Sequence, residues 1–185
     1  MRDKIKLKLK ELCDESLFRE MPPMSEGAGK YVCIDGEKYL NLASNNYLGI
    51  SEIKEIREAS AEAVLKLGTT SGASRIVTGN YSIYDELEHR IALFKKVEKA
   101  LVFNSGYVAN LAIFSALADR HTAVFSDKLN HASIIDGIEL SGAKHIRYKH
   151  NDMSDLESLL EKHKDIKDKI IATDTVFSMD GDVCK

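Results

Sequence analysis

The residues that could do chemistry fall at three polar interruptions of the apolar pattern: Asn104-Ser105-Gly106-Tyr107, Ser126 to His131, and Phe177 to Asp182. Before the first, Ala100-Leu-Val-Phe103 reads as a short buried strand, and helical spacing runs on from Tyr107 to Ala118. A strand, a tight turn and a helix leave the first N–H groups of the helix unpaired. Peptide dipoles there favour negative charge, and Gly106 adds no side chain to block an approaching anion. A phosphate suits such a place. The plainer alternative is that Ser105 only caps the helix and Gly106 only turns the chain.

His131 lies between Asn130 and Ala132 in the second interruption, where an imidazole could stack on a flat heteroaromatic ring or hydrogen-bond a substrate carboxyl. Ser178 follows Ala172-Thr-Asp-Thr-Val-Phe177 and could hold a ring oxygen, although Asp180-Gly181-Asp182 equally fits a simple turn. Asp174, inside that expected strand, needs a donor if it is buried. Asp180 with Asp182 makes a poor cation site, so no metal is assigned. His89, His121, His145, His150 and His163 fit solvated helix faces or strand ends and are given no role. A phosphate cradle, an imidazole and a hydroxyl on three strand ends describe a site for a flat, phosphorylated heterocycle.

The elements that must position these groups alternate. Strand 100–103 precedes helix 106–118, strand 122–126 precedes helix 132–141, strand 145–149 precedes helix 154–163, and strand 169–177 follows. That order predicts an α/β fold, a three-layer doubly wound and mostly parallel sheet, with ligands outside the carboxyl ends of its strands. Upstream, residues 1–20 read as a helix with Ile5, Leu9, Leu12 and Phe18 as a partial stripe, stopped by Pro22-Pro23. Asp35-Gly36 between Tyr31-Val-Cys-Ile and Tyr39-Leu-Asn-Leu predicts a hairpin. Ser51 is the expected cap of a helix that Gly68 ends. Ser82 with Asp85 resembles a capping box for a helix with Leu87, Ile91, Phe94 and Val97 on one face and a Glu86–Arg90 pair outside. Residues 1–50 form an N-terminal helix and hairpin segment, and 51–185 the large domain.

Composition narrows the function classes. The 185 residues are 44% hydrophobic and 30% charged with a net charge of −3, so there is no basic stripe for nucleic acid or an anionic membrane surface. No apolar run approaches the roughly 20 residues that span a bilayer, and the basic start lacks a signal-peptide core, so a cytoplasmic location is expected. Three well-separated cysteines suggest neither a disulfide framework nor a zinc site. No G-x-G-x-x-G follows a strand, and Gly68-Thr-Thr-Ser-Gly-Ala-Ser lacks the end of a P-loop, which weakens dinucleotide and ATP readings.

Six ordered stretches carry a resemblance: Leu42-Ala-Ser-Asn-Asn-Tyr-Leu-Gly49, Ser71-Gly-Ala-Ser-Arg75, Thr78-Gly-Asn-Tyr81, Leu101 to Asn110, Leu129-Asn-His-Ala-Ser-Ile-Ile-Asp136 and Val176-Phe-Ser-Met-Asp-Gly-Asp182. From about Leu17 to Lys185 the chain resembles the α-oxoamine synthases, fold-type I pyridoxal-phosphate enzymes, and most of all their biotin-biosynthetic branch. The resemblance implies pyridoxal 5'-phosphate as cofactor, with Gly106 and Tyr107 giving phosphate-binding amides, His131 stacking on the ring and contacting substrate, and Ser178 near the phenolic oxygen. It implies that Asn45 faces the amino-acid carboxylate. It also implies that Arg19, by its distance before Gly27-Ala-Gly29 and Asn45, receives the acyl substrate. The implied reaction joins L-alanine to a pimeloyl thioester, carried on CoA or an acyl carrier protein, with loss of CO₂, and His131 holds the carbonyl. A homodimer is implied too.

Two departures stand out. Gly72-Ala-Ser-Arg75 replaces a Gly-Gly-Ser-Arg run common in relatives. The family's acid for the pyridine nitrogen, a further histidine and the Schiff-base lysine all fall after the position of Lys185, so the chain resembles an N-terminal half, truncated and inactive alone. Such a half is expected to expose apolar edges and to depend on a partner or aggregate. The alternatives are a non-catalytic partner subunit, or the same chemistry on another acyl donor, as in glycine C-acetyltransferase, 5-aminolevulinate synthase and serine palmitoyltransferase.

Overall fold

The computed structural model of the protein describes residues 1–25 and 29–185. Gly27 and Ala28, part of the spacing used to place Arg19, lie outside the described residues. The chain resolves into two compact units, Met1–Asn80 and Tyr81–Lys185.

In the first unit, helix α1 spans Arg2–Asp14 and stops short of the expected residue 20. Ser16 takes a left-handed φ of 56°, and the Ser16 and Leu17 N–H groups return to the carbonyls of Cys13 and Leu12 at 3.1 and 2.8 Å. This closure satisfies the last helical carbonyls. Phe18 and Pro22-Pro23 therefore lie beyond the helix, and the prolines do not end it. Strands β1 (Tyr31–Ile34) and β2 (Glu37–Leu40) pair antiparallel, Ile34 opposite Glu37. The two turn residues both take positive φ, 51° at Asp35 and 82° at Gly36, as the hairpin signal demands. Ser51 lies in a 3₁₀ turn, Ile50–Glu52, where its hydroxyl accepts from Asn46 Nδ2 at 2.7 Å. Occupied there, Ser51 does not cap helix α2 (Lys54–Leu67), whose N-cap is Ile53; Gly68 does end it, with φ 83°.

The second unit starts with helix α3 (Ser82–Lys95), in which Ser82 is already helical and Tyr81 holds the cap position without a side-chain bond. Arg90 grips Glu86 at 2.7 Å on the outer side. Residues 100–103 form no strand. The sheet has three members in the order β4-β3-β5, none running beside this segment, and the Val102 N–H donates to Glu88 Oε1 at 2.8 Å. Helix α4 (Gly106–Leu117), strand β3 (Thr122–Asp127), helix α5 (Ala132–Ser141), strand β4 (Lys144–Tyr148), helix α6 (Met153–Lys162) and strand β5 (Asp168–Ala172) then follow. β3 pairs parallel with both neighbours, Val124 opposite His145 and Ile170.

Alternation along β3 divides the core into two layers. Val124 faces Phe114 and Ala118 from α4 and its C-cap, Ile134 and Ile138 of α5, and Ala172. Ala123 and Phe125 face Ile146, Tyr148 and Leu156 of α6 on the other side. The result is helix, parallel sheet, helix, the α/β architecture that the sequence predicts. α4 and α5 run parallel and very close, since a Cβ on Gly137 would lie 2.9 Å from the Asn110 carbonyl oxygen and from Phe114 Cδ2. Only glycine fits there.

β5 is shorter than the expected 169–177, and Asn130 shows why. Its side chain donates to the Ala172 carbonyl at 2.8 Å and accepts from the Asp174 N–H at 2.9 Å, taking the bonds that a further rung would have made. The chain then turns back on itself through an isolated bridge between Val176 and Val183.

Candidate functional site

Because the strands are parallel, the loops after β3, β4 and β5 emerge at one edge. α4 begins beside it. Ser105 caps α4, its hydroxyl accepting from the Val108 N–H at 3.2 Å. The N–H groups of Gly106 and Tyr107 make no hydrogen bond among the described residues, as the geometry of a first turn dictates. A Cβ on Gly106 would meet no atom within 4 Å, so the approach to those amides is open.

His131 is the N-cap of α5 rather than a free loop residue. Its Nδ1 accepts from the Ser133 N–H at 3.2 Å and lies 2.7 Å from the Ser133 hydroxyl, which itself accepts from Asn110 Nδ2 at 2.8 Å. That pattern assigns Nδ1 as acceptor and leaves Nε2 to carry the proton of the neutral ring. The ring is exposed at one side and meets Tyr107 edge-on, centroids 6.4 Å apart. The Tyr107 hydroxyl bonds Asp136, and this bond, with some burial and the carboxylate's charge, raises the phenol above its ordinary pKa. Gly106, Tyr107 and His131 are thus brought together.

Ser178 is reached through Asp174. The carboxylate of Asp174 accepts the backbone N–H of His131 at 2.8 Å, supplying the donor that a partly buried acid needs. Asn130, buried to 5% exposure, fastens the same two segments and holds Ser126 Oγ at 2.9 Å. Ser178 itself is exposed, in a turn closed by the Phe177 N–H to Asp182 carbonyl bond at 2.9 Å and the Gly181 N–H to Phe177 carbonyl bond at 2.7 Å. It shares the sheet edge with His131, with no hydrogen bond between them.

A third cluster was not foreseen. His150, expected at a solvated strand end, bridges two carboxylates: Nδ1 to Asp127 at 2.9 Å and Nε2 to Asp182 at 2.8 Å. Asp127 is 1% exposed and also accepts the N–H groups of Leu129 and Asn151 at 2.8 and 2.9 Å. Burial pushes the Asp127 pKa up, but those donors and the His150 ring outweigh it and hold the carboxyl below its ordinary range. The bond to Asp127, opposed by desolvation and helped by Asp182, raises His150 above the usual histidine value. Asn151 adds a bond from Nδ2 to Asp182 at 2.7 Å. The signal available in sequence was only an acid at each of two strand-end turns, which spacing cannot pair.

Arg19 and Asn45 belong to the other unit, Met1–Asn80, and both are exposed there; Asn46 rather than Asn45 lines its recess, with Lys30, Tyr47 and Glu52. In the second unit an open recess lined by Leu117, Asp119, Thr122 and Asp168 opens at the amino ends of β3 and β5, the edge opposite the polar cluster. No helix of the described residues is long and apolar enough to cross a membrane.

Residues 37–185 match the family aminotransferase class I and II. The chain belongs to that family. Among the relatives of this aminotransferase class I and II chain are two proteins that carry the name "Putative 8-amino-7-oxononanoate synthase", from Bacillus cereus (strain AH820) and Bacillus anthracis. Each is 50% identical over 181 residues, 98% of this chain and 46% of the relative, so the chain spans about half their length. A serine palmitoyltransferase from S. paucimobilis, solved with PLP and myriocin bound, superposes with a TM-score of 0.89 at 29% identity, covering 98% of this chain and 46% of the other. The 8-amino-7-oxononanoate synthase of Francisella tularensis does so with a TM-score of 0.62 at 37% identity over 76% of this chain and 38% of its own. Both are fold-type I enzymes of the α-oxoamine synthase kind that the sequence motifs resemble, matched over the N-terminal half.

Proposed function

We propose that this chain serves in a pyridoxal-phosphate-dependent acyltransferase that joins L-alanine to a pimeloyl thioester with decarboxylation, giving 8-amino-7-oxononanoate, with the Schiff-base lysine supplied from outside these 185 residues. The observation that carries the reading is the pair of open amides at Gly106 and Tyr107 held beside the His131 ring. Support for the branch comes from the two Bacillus relatives at 50% identity.

The residues fit the cofactor. Amides free of protein acceptors, with no Cβ above Gly106, accept a phosphate without rearrangement. When bound, the cofactor supplies an electron sink for the substrate carbanion. The chain's own groups bind and orient. His131 cannot swing freely, because Nδ1 is tied into the first turn of α5, so its ring plane is fixed for stacking and its Nε2–H is free for a substrate oxygen. Asp174 and Asn130 hold the His131 backbone in register with the segment leading to Ser178, whose hydroxyl we assign to the ring's phenolic oxygen. Gly106, Tyr107, His131 and Ser178 are the proposed cofactor contacts; Asn45 and Arg19 are proposed for the amino-acid carboxylate and the acyl group. A homodimer and a cytoplasmic location complete the proposal.

The test is spectroscopic and chemical. The complete enzyme that contains this chain, with PLP, is expected to absorb in the visible range, to change its band on adding L-alanine, and to release CoA thiol from pimeloyl-CoA. A second reading draws on the TM-score of 0.89 with a serine palmitoyltransferase: a different amino acid and a longer acyl chain. A band that moves with serine or glycine and stays still with alanine overturns the first reading in favour of the second.

A further inference from the structure

Ser178 sits in a turn whose closing bonds are all local, so something outside the turn must fix it against the sheet. The third cluster does this. Asp182 ends the turn, and its carboxylate is held by the His150 ring at 2.8 Å and by Asn151 Nδ2 at 2.7 Å, both from the loop after β4. Through the same ring the grip passes to Asp127 at the end of β3, 2.9 Å away. Phe177, the residue before Ser178, is 2% exposed and packs edge-on against the His150 ring, centroids 4.5 Å apart.

We propose that His150 is a positioning residue: clamped between Asp127 and Asp182 and seated on Phe177, it sets where the Ser178 hydroxyl stands at the sheet edge. This rests on the reading of Ser178 as a cofactor contact. The ring is well suited to the task because both nitrogens are engaged. A protonated imidazole donates to both carboxylates at once, whereas a neutral ring donates to one only. Around the ring, β3 offers Asp127, the segment after β5 offers Asp182, and the loop after β4 offers Lys149, which leans on Asp155 at 3.8 Å. Tyr148, at the end of β4, feels the charges of Asp127 and Cys184. The two acids nearest the ring favour its charged form, and the raised pKa agrees with that. Grip on the turn should therefore be full below the ordinary histidine pKa and slacken as pH rises through the raised one.

The experiment uses the intact protein and PLP as the probe, with His150→Asn, Asp182→Asn and Ser178→Ala. Amide hydrogen exchange at Phe177 and Gly181 is expected to quicken about tenfold or more in His150→Asn, since two charge-assisted bonds are lost. Asp182→Asn, which keeps the His150–Asp127 bond but removes the charge that holds His150 and Asn151 to the turn, at a side chain 39% exposed, should leave the fold intact and also quicken this exchange. In the unsubstituted protein this exchange should show an added rise on the alkaline side that His150→Asn lacks; simple packing on Phe177 gives no such step. PLP affinity should fall about tenfold in Ser178→Ala and in His150→Asn, with no further loss in the double variant. Unchanged exchange in both His150→Asn and Asp182→Asn, or the same pH profile in both proteins, overturns the positioning role. Unaltered PLP binding in Ser178→Ala, with faster exchange in His150→Asn, instead removes the cofactor role of Ser178 and leaves the clamp standing as a structural device.

Discussion

The two units are built from equally clear local signals but differ in what those signals bury. In Met1–Asn80, α1 and α2 carry no buried residue, and Val32 is the only buried hydrophobic among the unit's described residues. In Tyr81–Lys185, β3 is buried along all of its length and both core clusters lie against it. A turn, a cap or a helical stripe needs only its own few residues. A core needs a layer on each side, and only the parallel sheet supplies that.

The contrast can be broken at its strongest point with Phe125→Ala. Phe125 is fully buried on the α6 side of β3, so truncation should cost about 3–5 kcal/mol, read from urea unfolding. A loss below 1 kcal/mol would mean the sheet is not where stability resides. Next comes Asn130→Ala. It strips partners from the Ala172 carbonyl and the Asp174 N–H and should cost about 1–3 kcal/mol while loosening the His131 segment, seen as faster amide exchange at His131.

The pH dependence sharpens the same contrast, because the Asp127–His150 pair, one pKa lowered and the other raised, lies in the second unit. Asp127 is lowered, so its contribution exists above the ordinary carboxylate pKa and is lost as pH falls through the lowered value. His150 is raised, so its contribution is complete below its ordinary value and is lost as pH rises through the raised one. The contribution of this pair to the thermal stability of the second unit should therefore be greatest between about pH 4 and about pH 6.5, and His150→Asn should flatten its alkaline side. Leu65→Ala should have the smallest effect. Leu65 of α2 is 89% exposed, and its loss should stay within about 0.5 kcal/mol; a loss of several kcal/mol would show that α2 is covered in the working protein.

Sequence reading succeeded at several turns and periodic runs, though not at the expected caps Ser51 and Ser82 or at the end of α1. Asp35-Gly36 wrote the hairpin, Gly68 the end of α2, and the alternating apolar blocks the parallel sheet, with α5 at residues 132–141 as expected. It failed where a distant group decides. Residues 100–103 have strand composition but no neighbour strand in the sheet, and β5 ends at Ala172 because a side chain from another loop takes its next bonds. At the site, Gly106, Tyr107 and His131 were legible from turn chemistry and motif, and the structure brings them together. Asn130 and His150 were not, because their partners lie 42 to 44 residues away for Asn130 and 23 and 32 for His150.

The tight, parallel packing of α4 and α5 through Gly137 carries an electrical consequence. Two peptide cylinders lying side by side with their positive ends together repel one another, and the close approach that Gly137 permits strengthens that repulsion. An anion seated at the shared end would relieve that repulsion. Ligand occupancy and the melting of this helix pair should thus rise together, and inorganic phosphate alone, with no ring attached, ought to stiffen it measurably.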